Sequence, residues 1–244
     1  MAKREAPGAE DLTRDSLAAR IYSRIRLELI TGVHEPGSRL NISQLAAAYE
    51  TSPTPVREAI LQLVADGALE LKLGHQPRVP VLSISDYVKI RETRVPLERL
   101  ATELSAANIS AADIEVLEGL HRDYLAAEEK REWKRVLAKN IAFHFTIYNS
   151  SKNEFLVKLI ENLWLLTGPF VTNHYPNTDK MQYRVHTHDL LIDALKRRSP
   201  SEAGELVARD IREGSYLILE KLRLGAEARP SKRRKPKADS EAGA

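Results

Sequence analysis

Four residues in the second half of the chain are of types that bind metals or carry protons, and each interrupts an apolar stripe at helical spacing. Val136, Asn140, Ile141, His144 and Tyr148 share one face of a candidate helix, with Asn140 and His144 one turn apart. A later stripe, Met181, Val185, His188, Ile192 and Leu195, is broken by His188. A third runs Ala203, Leu206, Val207, Asp210, Gly214, Leu217 and Ile218, with Asp210 inside it. A buried polar group without a partner is costly, so these four must satisfy one another, a water, a ligand or an ion. Two imidazoles and two oxygens suit a divalent metal such as zinc, nickel or manganese. A mutually satisfied set of core polar groups would meet the same demand without one. Arg94 interrupts a fourth stripe, Ile90, Arg94, Leu97, Ala101 and Leu104. A planar guanidinium facing a cavity clamps a carboxylate; an i,i+4 pair with Glu98 would instead hold it at the helix surface.

A different chemistry lies in "TSPTPVREAILQLVADGAL", residues 51–69. Proline is tolerated in the first turn of a helix, which predicts Thr54 as N-cap with Pro55 just inside. Val56, Ile60, Leu63 and Val64 recur at helical spacing as a packing face. The helix start offers Ser52, Thr54, Val56 and Arg57: hydroxyls for phosphate or base, a methyl for thymine, and a guanidinium that forks onto guanine. The alternative is a solvated helix terminus with Arg57 paired locally.

Around that segment the pattern reads as a helix over 12–31 closed by Gly32, an "EPGSRL" turn, and a short helix over 42–49 capped by Asn41 or Ser43. The quoted helix follows, then the extended stretches "ALELKL" and "RVPVLS" around "GHQP". This is the order of a winged helix-turn-helix, whose second helix of the pair enters the major groove. Past a division near 83–86 the pattern is helical only, with candidates at 85–107, 111–130, 132–149, 153–172, 179–197 and 200–224. Ser85 with Asp86, Ser110, and Ser199 before Pro200 are the expected caps, and Pro96 predicts a kink. The expected fold is therefore mainly α: a winged helix-turn-helix over 11–83, then an all-helical bundle of six to seven helices over 84–224. Residues 1–10 and the basic tail 225–244 read as disordered. The tail is either a non-specific DNA arm acting through phosphates or simply solvated.

Composition mainly excludes. The chain lacks cysteine, which removes disulfides, thiol catalysis and cysteine-ligated zinc. No apolar run approaches the roughly 18–20 residues of a membrane span, and "MAKREAPGAEDLTRD" lacks the apolar core of a signal peptide, so a cytoplasmic protein is expected. With 37 Lys and Arg against 34 Asp and Glu, net charge alone does not argue for nucleic acid. Neither a helical HExxH, a P-loop nor a Gly-rich nucleotide motif is found.

The segment "LAARIYSRIRLELITGVHEPGSRLNISQLAAAYETSPTPVREAILQLVADGALEL" resembles the DNA-binding domain of GntR-type bacterial transcription regulators. "EPGSRL", "QLA", "TPVREAILQL" and "DGALE" carry the likeness, which covers about residues 13–82. It implies that Arg57 sits on DNA, Thr54 at the helix start, and Gly74 with His75 near a wing tip that enters the minor groove. Two positions depart from the pattern: Pro53 stands where the family often has a DNA-contacting arginine, and Ile42 where glutamate is frequent. Pro53 cannot donate to a base or phosphate, so operator contacts are expected to be fewer or shifted.

The helical part resembles the FadR-type C-terminal ligand domain (FCD) of a large branch of that family, through "IRETRVPLERLATELSA", "AFHFTIYNSSKNEFL" and "HDLLIDALKRRSPSEAGEL". Many members hold a metal with one aspartate and three histidines. By resemblance His144 and His188 match two of the histidines, Asn140 stands at the aspartate position and Asp210 at the final histidine position. The resemblance favours Arg94 in an effector pocket, lined also by Arg91, Tyr148, Trp164, Asn173 and His186, with Trp133 and Tyr175 as packing residues. It implies a homodimeric DNA-binding regulator rather than an enzyme, a repressor on a palindromic double-stranded operator, released by a small carboxylate effector. A rival reading is that "HTHDLL", with His144 upstream, is similar to the H…HD…D pattern of helical metal-dependent phosphohydrolases. Asp189 falls off the apolar stripe, however, and that reading leaves the winged helix unexplained.

Overall fold

The computed structural model describes residues 9–171 and 186–227. Expectations for residues 1–8 and for the tail beyond 227, and those placed on Met181, Val185, Asn173 and Tyr175, lie outside the described residues, as do the side chains of Leu217 and Ile218.

The N-terminal unit is built on α1 (Ala9–Ile30), α2 (Ile42–Ala48) and α3 (Pro53–Ala65). Ile21, Ile25 and Leu29 of α1 are buried with Ala46 of α2 and Val56, Ala59, Ile60 and Leu63 of α3. Ser38 N–H donates to the Glu35 carbonyl (3.0 Å) across Pro36 and Gly37, whose φ of 82° is the left-handed value such a turn requires. Asn41 caps α2, its Oδ1 accepting from Ser43 and Gln44 N–H.

Two expectations for α3 need correction. Its N-cap is Ser52 (φ −76°, ψ 159°), with Pro53 at the first helical position and Thr54 already inside. Both prolines fall where a helix has unpaired N–H groups, so both are accommodated without losing a bond. Val56 is wholly buried, so its methyls pack against α1 rather than meeting a thymine. The expected two-stranded ribbon contracts to bridges. Glu70 and Arg78 exchange both backbone hydrogen bonds (2.8 and 2.9 Å), and Arg39 bridges Arg78 from the other side. Pro77 and Pro80 flank Arg78 and Val79, leaving only two donors there, which stops a longer ladder.

The second unit consists of α4 (Ile84–Asn108), α5 (Ala111–Glu129), α6 (Trp133–Ser150), α7 (Glu154–Val171), α8 (Thr187–Lys196) and α9 (Pro200–Glu227). Ser83, not Ser85, caps α4: its Oγ accepts the Asp86 N–H and donates to the Asp86 carboxylate, which that hydrogen bond holds below the usual carboxylate range. Ser110 and Asp113 form a reciprocal capping box on α5. The helix expected from 179 begins, in its described part, at Thr187, with His186 as extended N-cap. Pro96 is accommodated within α4. α4 lies along α9, α5 along α6, and α8 closes the bundle against α5 and α9.

The two units meet where α1 crosses α7. A Cβ on Gly168 would lie 2.5 Å from Ile30 Cα, so only glycine permits that crossing. Arg26 reaches Glu161 (2.9 Å) beside it. No helix among the described residues is long and apolar enough to cross a membrane.

Candidate functional site

In the helical unit the polar residues of three helices converge. His144 on α6, His188 on α8 and Asp210 on α9 bring one ligand atom each within 4.8 Å of one another, and both histidines are buried. Asn140 lies half-buried one turn before His144. His144 Nδ1 is 3.3 Å from the Tyr148 hydroxyl, and its Nε2 is 3.2 Å from Asp210 Oδ2. The Tyr148 hydroxyl donates to Glu98, so its oxygen accepts from His144 Nδ1–H. In a neutral His144 that leaves Nε2 as a bare lone pair facing a carboxylate. Only a proton or a cation between them makes that approach favourable. Burial would raise the Asp210 carboxyl, but the hydrogen bond with His144 brings it down to about 2. Burial drives His188 well below the ordinary histidine value, so it is neutral and ready to donate a lone pair. The donor set and its orphaned nitrogens fit a divalent ion.

Arg94 is buried and also paired, which joins the two readings set against each other above. Its Nε donates to Glu98 Oε1 (2.6 Å) and its guanidinium lies 4.4 Å over the Trp164 ring. Glu98 is fully buried and is the hub the sequence reading passed over: it accepts from Arg94, the Trp164 indole N–H (3.1 Å) and Tyr148. Burial would lower the Arg94 pKa, but the Glu98 carboxylate raises it, and burial pushes the Tyr148 hydroxyl well up. Arg94 Nη1 faces Thr167 Oγ1 at 3.5 Å. Arg91 turns instead to its neighbour Glu92, and Trp133 packs against the Tyr124, Ala127 and Val136 cluster.

His186 joins a second group rather than lining the Arg94 network. His121, His186 and His188 also place ligand atoms within 4.8 Å of one another. Sequence reading missed His121, although Leu117, His121 and Tyr124 form a stripe on α5 that would have revealed it.

On the N-terminal unit, Ser52, Thr54 and Arg57 are exposed at the start of α3. The α3 N-terminus has no side-chain cap, and Pro53 and Pro55 remove two of the four donors a helix start presents, leaving the Ser52 and Thr54 N–H groups. Gly74 (φ 75°) and His75 are exposed at a tight turn where His75 N–H donates to Lys72, and Leu73 beside them is fully exposed.

A compact helix-turn-helix with an exposed second-helix start, joined through α1 and α7 to a bundle with a buried polar centre, defines a DNA-binding regulator with its own sensory domain. The chain belongs to the gntR family of bacterial regulatory proteins, whose description matches residues 17–76, and carries an FCD domain over residues 89–213. The HTH-type transcriptional regulator McbR of Escherichia coli (strain K12) is 28% identical over 87% of this chain and 97% of its own. The probable D-xylose utilization operon transcriptional repressor of Paenarthrobacter nicotinovorans is 28% identical over 82% of this chain and 88% of its own. The solved E. coli McbR/YncC structure superposes with a TM-score of 0.79, covering 84% of this chain and 98% of that one. The chain is thus a transcription regulator and not an enzyme. The phosphohydrolase alternative finds no support: its Asp189 is exposed and turns to His121.

Proposed function

We propose that the chain is a homodimeric repressor that binds a palindromic operator through α3 and the turn at Gly74 and His75, and leaves it when a small carboxylate enters the helical unit. Ser52, Thr54 and Arg57 make the operator contacts, hydroxyls and backbone N–H groups on phosphates and the guanidinium on guanine. Fewer phosphate donors than usual at an α3 start with two prolines fit an operator held by fewer contacts. The protein works wherever the host DNA is, which is the cytoplasm of a bacterium.

In this reading His144, His188 and Asp210, with Asn140 beside them, hold a divalent ion such as zinc, nickel or manganese. Bound there, the ion supplies a positive Lewis-acid centre for the carboxylate of an effector. Arg94 meets the effector through its Nη1 edge, because Glu98 already occupies the Nε side. Tyr148 completes the lining, while His186, grouped with His121 and His188, stands apart from the Arg94 network.

The observation that carries the proposal is continuity. α7 faces the Arg94–Glu98 network with Trp164 and Thr167, and its next residue, Gly168, abuts Ile30 of α1. A ligand that shifts Trp164 therefore acts on the helix that packs against α3. By reciprocity the effector weakens DNA binding as much as DNA weakens effector binding.

The test is a selection of genomic fragments by the purified protein at two salt concentrations, with and without a chelator. Recovery of one short palindrome is expected. DNA held without sequence preference and lost at moderate salt would falsify the operator assignment. For the sensory site, a His144→Ala, His188→Ala double variant should bind operator yet ignore inducer; a normal response would remove the pocket from consideration.

A further inference from the structure

The group of His121, His186 and His188 lies outside the set that the FCD likeness assigns, sharing only His188 with it. His121 comes from α5, His186 is the N-cap of α8 and His188 sits in its first turn. The ring centroids are 5.1 Å (His121 to His186), 5.4 Å (His121 to His188) and 4.5 Å (His186 to His188) apart. His121 and His188 are almost wholly buried, and all four of their ring nitrogens lack a hydrogen-bond partner. Two buried imidazoles with no partner at either nitrogen cost stability that aromatic stacking on Tyr124 and Phe143 does not return in hydrogen bonds. Asp189 Oδ1 stands 2.9 Å from His121 Nε2 but without hydrogen-bond geometry, the place from which carboxylates orient metal-binding imidazoles. His186 Nδ1 accepts the His188 N–H at 3.3 Å, a long contact readily given up for a coordination bond.

We propose that His121, His186 and His188 form a second, all-histidine seat for a transition-metal ion, alternative to the seat at His144, His188 and Asp210. Because His188 serves both, one ion occupies one seat at a time. Ligand chemistry separates the two: three neutral imidazoles hold zinc, cobalt or nickel, whereas manganese needs the seat that carries a carboxylate. The inference does not rest on the effector pocket proposed above; it asks only where an ion binds.

The test uses the full chain, stripped with a chelator and titrated with Co2+ and, separately, Mn2+, reading the visible Co2+ spectrum and calorimetric affinity. In a His144→Ala, Asp210→Asn variant, one Co2+ per chain should still bind with a nitrogen-rich spectrum, while Mn2+ binding is lost. Adding His121→Gln, which keeps the side-chain volume, should weaken the remaining Co2+ on the order of 100-fold or more, as expected for an interaction on which a metal centre depends. Melting curves without metal show whether each variant is folded, and His121→Ala is the second choice if Gln perturbs the core. If the His144→Ala, Asp210→Asn variant binds no Co2+ while His121→Gln alone binds like the parent, the second seat is overturned and the first stands. The opposite pattern supports the second seat and removes the first. A parent chain that binds neither ion overturns both.

Discussion

The two units bury different chemistry. Every buried polar or charged residue among those described, from Arg94 to Ser215, belongs to the helical unit; between Leu17 and Ser83 the buried residues are apolar, glycine and proline aside. The N-terminal unit exposes Ser52, Thr54, Arg57 and His75, the residues proposed to contact the operator. Its interior only has to hold α3 at a fixed angle. The helical unit is reversed: its interior holds an ion pair, imidazoles and a carboxylate. A unit that reads DNA needs a rigid core and a reactive surface, whereas one that encloses a small ligand needs interior polar groups, and buried polar groups are costly unless each is satisfied.

The strongest way to break this contrast is at Glu98. Glu98→Gln leaves the buried Arg94 charge uncompensated and should cost about 3–5 kcal/mol in chemical denaturation. A joint Arg94→Met, Glu98→Leu variant should recover most of that loss, because removing both charges removes the desolvation cost. If the single and double variants were equally unstable, the pair would be packing rather than electrostatics.

In the N-terminal unit the largest effect should come from an apolar residue. Val56→Ala opens a cavity against α1 and should cost about 2 kcal/mol of stability. Arg57→Ala, one position later, should leave stability within about 0.5 kcal/mol while operator affinity falls by about 1–3 kcal/mol. Melting curves beside titrations of the selected operator separate the two; a large stability loss at Arg57 would contradict its exposed placement.

Gly168→Ala sharpens the comparison at the join. Its methyl would press on the Ile30 backbone, so overpacking should cost about 1–3 kcal/mol and loosen α1 from α7. The expected functional signature is a protein that binds both operator and effector but responds weakly to one through the other. Unchanged linkage would place the coupling elsewhere.

The smallest effect is expected from Tyr22→Phe. The Tyr22 hydroxyl donates to Asp66 (2.6 Å) between α1 and α3, and burial, with that hydrogen bond, raises its pKa to about 12. Since the folded value exceeds the unfolded one near 10, this contribution is fully present below pH 10 and is lost as pH rises through 12. Losing the bond should cost about 1 kcal/mol at neutral pH, and the variant should destabilise less steeply in alkali than the parent. Tyr148, raised further by its burial and by Glu98, should keep the helical unit's alkaline transition in place in that variant. Tyrosinate absorbance during alkaline unfolding reports both.

Much of this was legible in the residues. Helical periodicity, the "EPGS" turn, Asn41 and the Ser110 cap are local signals, and local backbone chemistry produced the elements they predict. His144, His188 and Asp210 were readable as a set because each breaks an apolar stripe, and a polar residue on a buried face needs a partner wherever that partner lies. Where the reading slipped, a second local solution competed: Ser52 against Thr54 for the α3 cap, Ser83 against Ser85 for α4, and Val56 on the packing face rather than on DNA.

Position along the chain therefore determined the order of elements and which side chains must turn inward. Only the tertiary structure decided that Arg94 is both buried and bound to Glu98, that His121 and His186 gather around His188, and that Gly168 brings α7 onto Ile30. Periodicity specifies which face of a helix is buried, but which faces meet depends on the angles at which the helices cross, and those are set by packing between residues far apart in the chain.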